Sequence, residues 1–285
     1  PVAMTIALAV GMQRMAARKA IVRRLAAVET LGSTSVICSD KTGTLTRNEM
    51  TVTTLWLPGD REIEVTGTGY SPKGSLLDGK TAISTEDSHV RALLEVVALC
   101  NDGDLVRPDA SDSRWRPLGD PTETALLTLA LKGGVDLDEL RQQWPRRAEI
   151  PFDSATKMMA TQHGDKTRRR ILIKGAPEVV LGLCGHARQG DTDVAMSEEI
   201  QRDAQAASAA MAKRALRLLA VALVEESALN ENLGIDQFQG QAVFLGLVGQ
   251  MDPPRDEVKA AVAECLVAGI RPVMVTGDHK LTGLA

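Results

Sequence analysis

The chain has 285 residues, which is long enough for one large domain or two smaller ones. Its 44% hydrophobic and 25% charged residues are typical of a globular protein. The formal net charge of −4 and the pI near 5.7 give no reason to expect nucleic acid as a partner. The four cysteines are far apart and form no CxxC pair, which argues against a zinc site or a disulfide framework and favours a reducing compartment.

The first segment is apolar and is followed by a basic cluster. Residues 1–12, PVAMTIALAVGM, are almost all apolar, but they are fewer than the roughly 20 residues that span a bilayer. The segment QRMAARKAIVRR follows, and its crowded cations are typical of the cytoplasmic end of a transmembrane helix. An amphipathic helix that begins a globular domain fits the same composition equally well.

The sequence changes abruptly from apolar to polar at Asp40. TSVIC (34–38) predicts a buried strand, and KTGT (41–44) predicts a loop rich in hydroxyls and backbone N–H groups. In open α/β sheets, ligands bind at the carboxyl ends of the strands, where Asp40 would lie. Its carboxylate is therefore a candidate nucleophile or metal ligand. The alternative is that Asp40 has no functional role.

Residues 56–240 have a different character. They contain hairpin-like runs such as TTLWLPGDREIEV and helical patterns such as HVRALLEVVALC and SEEIQRDAQAASAAMAKRAL. This mixture predicts an α+β domain inserted into a loop of a first domain. GSLLDGKT (74–81) matches the P-loop pattern, but a turn-like segment precedes it and a poor helix follows it, so we interpret it as a surface loop.

A second strand-and-loop pattern occurs in RPVMVTGDHK (271–280). PVMV predicts a strand, and Thr276, Gly277 and Asp278 follow it as KTGT follows the first strand. Taken alone, these three residues are explained equally well by a helix N-cap.

Between the inserted segment and this second pattern lie an apolar run and a helical pattern. The run is AVFLGLVGQ (242–250), and DPPRDEVKAAVAECLVAG (252–269) predicts a helix with Pro254 in its first turn. Residues 30–55 and 241–285 are therefore predicted to be two halves of one α/β domain with a parallel sheet.

VICSDKTGTLTRNEMTV (36–52) resembles the phosphorylation motif of P-type ATPases. The preceding MQRMAARKAIVRRLAAVETLGSTS resembles the segment that leads out of the fourth transmembrane helix of these pumps. The resemblance continues in the family's order through PTETALL, PFDSATKMM, IKGAPE, ALRLLAVAL, MDPPR and MVTGD, over nearly the whole chain. The residues around Asp40 are most similar to type II cation pumps, especially the calcium-pump-like branch.

This resemblance implies a domain organisation. Residues 1–29 would be the end of a transmembrane helix and its cytoplasmic stalk. Residues 30–55 and 241–285 would form a haloacid-dehalogenase-like phosphorylation domain with a parallel sheet, its second part truncated. Residues 56–240 would form the inserted α+β nucleotide-binding domain.

The resemblance also assigns the catalytic residues. Asp40 would be the nucleophile that attacks the γ-phosphate of ATP and becomes an aspartyl-phosphate. Lys41 and Thr42 would adjoin the phosphoryl group, and Asp40 with the Thr42 carbonyl would give Mg²⁺ two oxygen ligands, the third lying beyond this chain. The catalytic set is completed by three residues of the second loop: Thr276, Gly277 and Asp278.

The inserted domain would hold the nucleotide. By the same resemblance, Phe152 stacks on adenine, Glu123 hydrogen-bonds the side of the base, and Arg217 reaches the phosphates. The other residues implied for this site are Lys157, Lys174, Gly175, Asp252 and Arg255. Considered singly, Phe152 fits a core position and the cations fit solvated charges, while Asp252 fits a helix start.

Two alternatives come from the same fold class. Haloacid-dehalogenase-type phosphatases carry a second aspartate two residues after the nucleophile, where this chain has Thr42. A threonine deprotonates water poorly, so the phosphoenzyme would persist, which favours a pump. A non-catalytic nucleotide-binding module is the other alternative.

Several motifs of the family are absent from the sequence. The chain contains neither GDGxNDxP nor TGE, and it has no membrane carboxylates that would bind a transported ion. We therefore expect this chain to bind ATP without turnover. Transport of a cation, with calcium suggested by the resemblance, would belong to the intact protein, with this region on the cytoplasmic face of the membrane.

Overall fold

The computed structural model of the protein describes residues 2–83, 86–110, 112–165 and 167–275. These residues divide into two compact units. The larger unit is residues 48–253, and the smaller unit combines residues 2–47 with residues 254–275.

The helices of the described residues are α1 (Val2–Ala17), α2 (Leu25–Gly32), α3 (Ser88–Leu99), α4 (Pro121–Lys132), α5 (Leu137–Gln143), α6 (Pro177–Leu183), α7 (Glu198–Lys213) and α8 (Val258–Val267). The strands are β1 (Val36–Asp40), β2 (Thr51–Leu57), β3 (Arg61–Val65), β4 (Leu76–Asp78), β5 (Thr81–Ala82), β6 (Asp104–Val106), β7 (Arg116–Leu118), β8 (Arg146–Asp153), β9 (Met158–Gly164), β10 (Arg169–Gly175), β11 (Cys184–Gln189), β12 (Thr192–Ala195), β13 (Arg217–Glu225), β14 (Ala242–Met251) and β15 (Arg271–Val275). Within the described ranges, no helix is both long enough and apolar enough to cross a membrane.

The larger unit is built on a mostly antiparallel sheet. Its strands run in the order β5-β4-β3-β2-β14-β13-β10-β9-β8, and β11 joins β14 in parallel and β12 antiparallel. Helices α3, α4 and α5 cover one face, and α6 and α7 cover the other. A separate hairpin of β6 and β7 lies beside α4. The mixed α/β architecture confirms the α+β character predicted for the middle of the chain.

The helices on the first face begin at capping residues that the sequence displays. The Asp87 carboxylate accepts a hydrogen bond from the Val90 N–H at 3.0 Å and starts α3. Asp120 accepts one from the Thr122 N–H at 2.7 Å, with Pro121 in the first turn of α4. These caps fix the register of α4 and place Glu123 in its first turn.

Strand β14 lies in the middle of the large sheet, which differs from the predicted organisation. The predicted parallel-sheet domain includes residues 241–285, but β14 pairs antiparallel with β2 and β13. Strand β2, predicted as part of 30–55, belongs to the same sheet. An uninterrupted apolar run is expected of any strand that is covered on both faces. The pattern therefore does not distinguish a strand of a parallel sheet from a central strand of an antiparallel sheet with helices on both faces.

The smaller unit contains one parallel strand pair. Strands β1 and β15 pair in register from Val36 opposite Arg271 to Asp40 opposite Val275. This pair agrees with the predicted parallel arrangement, and the haloacid-dehalogenase-like sheet as a whole stays a prediction.

The predicted start of α8 is wrong by several residues. The helix begins at Val258, and Pro254 lies outside it in an isolated bridge with Thr46. The next N–H, that of Arg255, donates to the Leu45 carbonyl at 2.9 Å. Residues 254 and 255 are extended because they pair with the segment that follows β1.

Candidate functional site

The residues predicted to bind nucleotide lie at one end of the large sheet. Strand β8 ends at Asp153, β9 begins at Met158 and β10 ends at Gly175. Strand β13 begins at Arg217, and β14 ends at Met251. Because these neighbours are antiparallel, their termini meet at the same end of the sheet. The structure brings to this end six residues of the predicted site: Phe152, Lys157, Lys174, Gly175, Arg217 and Asp252.

Lys174 and Glu123 form a nearly buried ion pair. The ammonium of Lys174, on β10, contacts Glu123 Oε2 in the first turn of α4. The Lys174 side chain is 5% exposed and that of Glu123 is 18% exposed. Lys174 is therefore not the solvated charge that its sequence alone allowed, and its burial requires the carboxylate partner.

A loop after α3 holds Glu123 from the other side. The Asn101 amide donates to the Glu123 carbonyl at 2.9 Å, and its Oδ1 accepts the Gly103 N–H at 2.8 Å. The Asp102 N–H donates to Glu123 Oε2 at 3.3 Å. This loop is not among the predicted site segments, although NDG directly after a helical pattern predicts a turn in which the asparagine bonds to backbone.

Cys100 lies beneath this group of polar residues. It is fully buried, and burial raises the pKa of its thiol. A thiol with a raised pKa is protonated near neutrality, so Cys100 serves packing and not nucleophilic chemistry.

Phe152 presents its ring to solvent. Its exposed fraction is 61%, whereas Phe238 and Phe244 are 2% and 0% exposed. The core position that the sequence allowed for Phe152 is wrong. An exposed ring at the end of a strand offers a flat apolar surface on which a base can stack.

Lys157 and Gly175 meet at the turn between β8 and β9. Lys157 has φ 55° and forms an exposed ion pair with Glu178 at 3.3 Å. A Cβ on Gly175 would lie 2.5 Å from the Lys157 carbonyl oxygen and 2.8 Å from Met158 Cγ. Close packing alone thus explains why residue 175 is a glycine, and no ligand is needed to explain it. The positive charge of Lys157 lies at this end of the sheet.

Arg217 is the first residue of β13 and is exposed. Within the described ranges its guanidinium forms no ion pair or side-chain hydrogen bond. It is available to an anion at this end of the sheet.

Asp252 follows β14 directly and does not start a helix. Its Oδ1 accepts the Glu49 N–H at 3.1 Å, and α8 begins only at Val258. The helix-start explanation is therefore wrong. Asp252 ties together the two chain segments that enter and leave the larger unit.

Asp40 is the last residue of β1, and its side chain is exposed. The residues that follow form one wide turn, Lys41–Leu45, in which Thr42 has φ −73° and ψ 123° and Gly43 has φ 75° and ψ −11°. These angles are those of the central residues of a type II turn, which requires a positive φ at its second position and therefore favours glycine. The Thr46 N–H donates to the Lys41 carbonyl at 3.1 Å and closes the turn.

Arg255 lies against this turn. Its Nη2 donates to the Gly43 carbonyl at 3.0 Å, in addition to the backbone bond to Leu45. Arg255 is predicted to bind the nucleotide, but in the structure it supports the turn after Asp40. The predicted residues Thr276, Gly277 and Asp278 lie outside the described residues.

The turn after Asp40 offers hard oxygen donors. The described ranges contain no group of three His, Cys, Asp or Glu side chains that could hold a metal ion. The exposed Asp40 carboxylate and the Thr42 carbonyl suit Mg²⁺, which binds through few protein ligands and keeps phosphate and water oxygens. These residues therefore fit a magnesium ion shared with a phosphate.

Comparison with known proteins agrees with the sequence motifs. Residues 89–257, more than half of the chain, match the family described as P-type ATPase, cytoplasmic domain N. The chain belongs to the P-type ATPases, as the resemblance implied.

The relatives of the chain are named as cation pumps. It is 42% identical over 287 residues to the calcium-transporting ATPase of Bacillus subtilis and to the probable cation-transporting ATPase F of Mycobacterium tuberculosis. It is 39% identical over 290 residues to the calcium-transporting ATPase type 2C member 1 of Pongo abelii. Each comparison covers 100% of this chain, which spans 32%, 31% and 29% of these three relatives.

Proposed function

We propose that this chain is the ATP-binding and aspartyl-phosphorylation region of a cation-transporting P-type ATPase. In the intact protein it would couple ATP hydrolysis to ion transport from the cytoplasmic face of a membrane. The names of the relatives support a cation, with calcium as the first candidate. The observation that carries the proposal is the convergence of the predicted nucleotide residues at one end of the large sheet, with the Phe152 ring exposed among them.

Each residue at this end has a role in the proposal. The Phe152 ring stacks on adenine, and the Glu123 carboxylate accepts a hydrogen bond from the base. Lys174 orients that carboxylate through the buried ion pair, as its lack of exposure supports. Arg217 and Lys157 supply positive charge for the phosphates.

Asp40 is the proposed phosphate acceptor. One carboxylate oxygen attacks the γ-phosphorus of ATP, the bond to the bridging oxygen breaks, and ADP leaves. Mg²⁺, when bound, neutralises charge on the phosphoryl oxygens. The Lys41 cation, the type II turn held by Arg255, and Thr276, Gly277 and Asp278 would orient the phosphoryl group. Thr42 cannot act as a general base, so the aspartyl-phosphate persists.

A titration of the ¹⁵N-labelled chain with Mg-ATP tests the nucleotide site. We expect the amide signals of Phe152, Gly175 and Arg217 to shift, and those of Gly79 and Lys80, in the P-loop-like segment, to stay in place. That segment forms the β4–β5 hairpin and no strand–loop–helix cradle. Shifts confined to Gly79 and Lys80 would contradict the proposal.

Phosphorylation is tested in the intact protein. We expect it to form an acid-stable phosphoenzyme that Asp40→Asn abolishes. A phosphatase would instead hydrolyse small phosphate esters, and a non-catalytic nucleotide-binding module would form no phosphoenzyme. This chain alone should bind ATP without steady-state hydrolysis, since the sequence lacks the GDGxNDxP motif.

A further inference from the structure

The side-chain amide of Gln250 is buried without a hydrogen-bond partner. Gln250 lies near the end of β14 and is 0% exposed. Across the described ranges, neither its Oε1 nor its Nε2 reaches a partner, and no other buried side chain is in this condition. Buried amides are almost always paired, because an unpaired one loses its hydration without compensation. An apolar residue would fill this position at lower free energy.

The strand register places Gln250 beside Arg217. Gln250 on β14 is the direct partner of Arg217 on β13 and of Val52 on β2. Two residues along, Val248 on β14 faces Leu219 on β13, and both pack into the core beneath α3 and α4. Side chains alternate between faces along a strand, so Gln250 and Arg217 share that face.

The same face carries Lys174. It is the strand partner of Val221, which packs into the same core as Val248. The buried Lys174–Glu123 pair, the exposed Arg217 and the unpaired Gln250 amide therefore lie along one face, at the end of the sheet where the nucleotide residues converge.

The chemistry of the two neighbours is complementary. Directly opposed side chains on one face of an antiparallel pair have Cβ atoms about 5 Å apart, within reach of long side chains. A glutamine Oε1 accepts hydrogen bonds, and a guanidinium has five N–H donors and no acceptor. Each of the two groups lacks a partner in the described residues, although each could bond to the other.

We propose that Gln250 is a positioning residue for nucleotide binding. When ATP is bound, Gln250 Oε1 accepts a hydrogen bond from the Arg217 guanidinium and holds that group toward the phosphates. A fixed hydrogen-bond acceptor limits the orientations of the long Arg217 side chain, so that less conformational entropy is lost when the side chain binds phosphate. This inference rests on the proposed function, because it requires Arg217 to contact the phosphates.

Calorimetric titration of the 285-residue chain with Mg-ATP and with adenosine tests the inference. Gln250→Met keeps the length of the side chain and removes the amide. We expect it to weaken ATP binding about three- to tenfold, the effect of losing one ordinary hydrogen bond, and to leave adenosine binding within about twofold. In an Arg217→Met background, the same substitution should leave ATP affinity unchanged, because the residue through which it acts is absent.

Thermal unfolding provides the folding control. Gln250→Met should unfold at or above the temperature of the wild-type chain, since it removes an unpaired buried amide, and Gln250→Leu repeats the test with a different shape. Equal weakening of ATP and adenosine, or a further loss of ATP affinity in the Arg217→Met background, would overturn the inference. Such results would assign the amide to local packing or to a bound water.

The inference and the proposed function fail in different ways. If Arg217→Met weakens ATP binding and Gln250→Met does not, only the role of Gln250 is lost. If Arg217→Met leaves ATP affinity unchanged, the proposed phosphate contact is lost, and the role of Gln250 with it.

Discussion

The two units differ sharply in how much of their surface they bury. The larger unit has a continuous core on each face of its sheet, with fully buried residues such as Leu55, Leu127 and Phe244. In the smaller unit, Thr46 is the only buried residue among the described side chains. Its apolar residues remain largely exposed, including Val36 on β1, and Val267 on α8 at 91% exposure.

This contrast follows from the elements that this chain contributes to each unit. A sheet with helices on both faces buries each strand completely, whereas two parallel strands with few helices leave apolar faces uncovered. In the larger unit, Lys174 and Glu123 of the proposed nucleotide site lie against this packed core, whereas Phe152 lies on the exposed edge strand β8. The turn after Asp40 depends instead on local hydrogen bonds from Thr46 and Arg255.

The largest expected effect is in the core of the larger unit. Leu127→Ala, on α4, removes a fully buried side chain and should lower the free energy of unfolding by about 2–5 kcal/mol. Circular dichroism at 222 nm during urea unfolding measures this, because both units contain helices. The matched change in the smaller unit, Leu266→Ala at 60% exposure, should shift unfolding by less than about 0.5 kcal/mol. Similar losses in both variants would contradict the contrast.

A pH dependence should come from His163. Burial lowers its pKa to about 4, and the neutral ring bridges the Trp144 carbonyl at 3.0 Å and Thr161 Oγ1 at 2.9 Å. Since the folded pKa lies below the unfolded value of about 6.5, the stabilising contribution is complete above pH 6.5 and is lost as the pH falls toward 4. We expect a loss of about 1 kcal/mol per pH unit in that window.

Denaturant unfolding at several pH values measures this contribution. His163→Gln should flatten the dependence between pH 6.5 and 4, whereas His186→Gln, at an exposed position, should leave it as in the wild-type chain. An unchanged slope in His163→Gln would assign the dependence to other groups, of which His89 is the first candidate because burial lowers its pKa too.

The buried ion pair should matter more than the exposed one. Lys174→Met leaves the Glu123 carboxylate without its partner and should cost about 2–3 kcal/mol of stability. Lys157→Met breaks an exposed pair with Glu178 and should cost less than about 0.5 kcal/mol. Adding Glu123→Leu to Lys174→Met should restore most of the loss, measured by urea unfolding. Failure of that rescue would mean that Lys174 acts through packing of its stem.

The smallest effect is expected at the turn after Asp40. Gly43→Ala places a Cβ at φ 75° and should destabilise the turn locally by about 1 kcal/mol. Hydrogen exchange of the Thr46 amide, which closes the turn, should accelerate, while exchange in β14 stays constant. Unchanged protection at Thr46 would show that Arg255 alone maintains the turn.

Sequence patterns predicted the secondary structure well where a few neighbouring residues determine the conformation. The turn after Asp40, the β2–β3 hairpin and helices α3 and α7 follow from strand patterns, turn residues and helical patterns in the sequence. The assignment of β14 was wrong because a strand buried on both faces has the same apolar pattern in either kind of sheet. The start of α8 was wrong because pairing across more than 200 residues, between Arg255 and Leu45, overrides the preference of a proline for a first helical turn.

The site was predicted mainly through the order of its motifs. That order selected Phe152, Lys174 and Arg217 as candidates, whereas single-residue reasoning places Phe152 in the core and Lys174 in solvent. The Lys174–Glu123 pair and the Asn101 loop depend on contacts between distant segments, which no local pattern specifies. The lack of a hydrogen-bond partner for the Gln250 amide likewise depends on which residues lie opposite it in the sheet, and no local pattern specifies these.

The most direct test is a calorimetric titration of Mg-ATP into the chain, beside Phe152→Ala and Leu266→Ala. The two substituted residues are similarly exposed, at 61% and 60%, but only Phe152 belongs to the large sheet, since Leu266 lies on α8 of the smaller unit. We predict that wild-type and Leu266→Ala chains bind ATP alike and that Phe152→Ala weakens binding at least about tenfold, the loss of one stacked base. Equal affinity of all three chains for ATP would contradict this prediction.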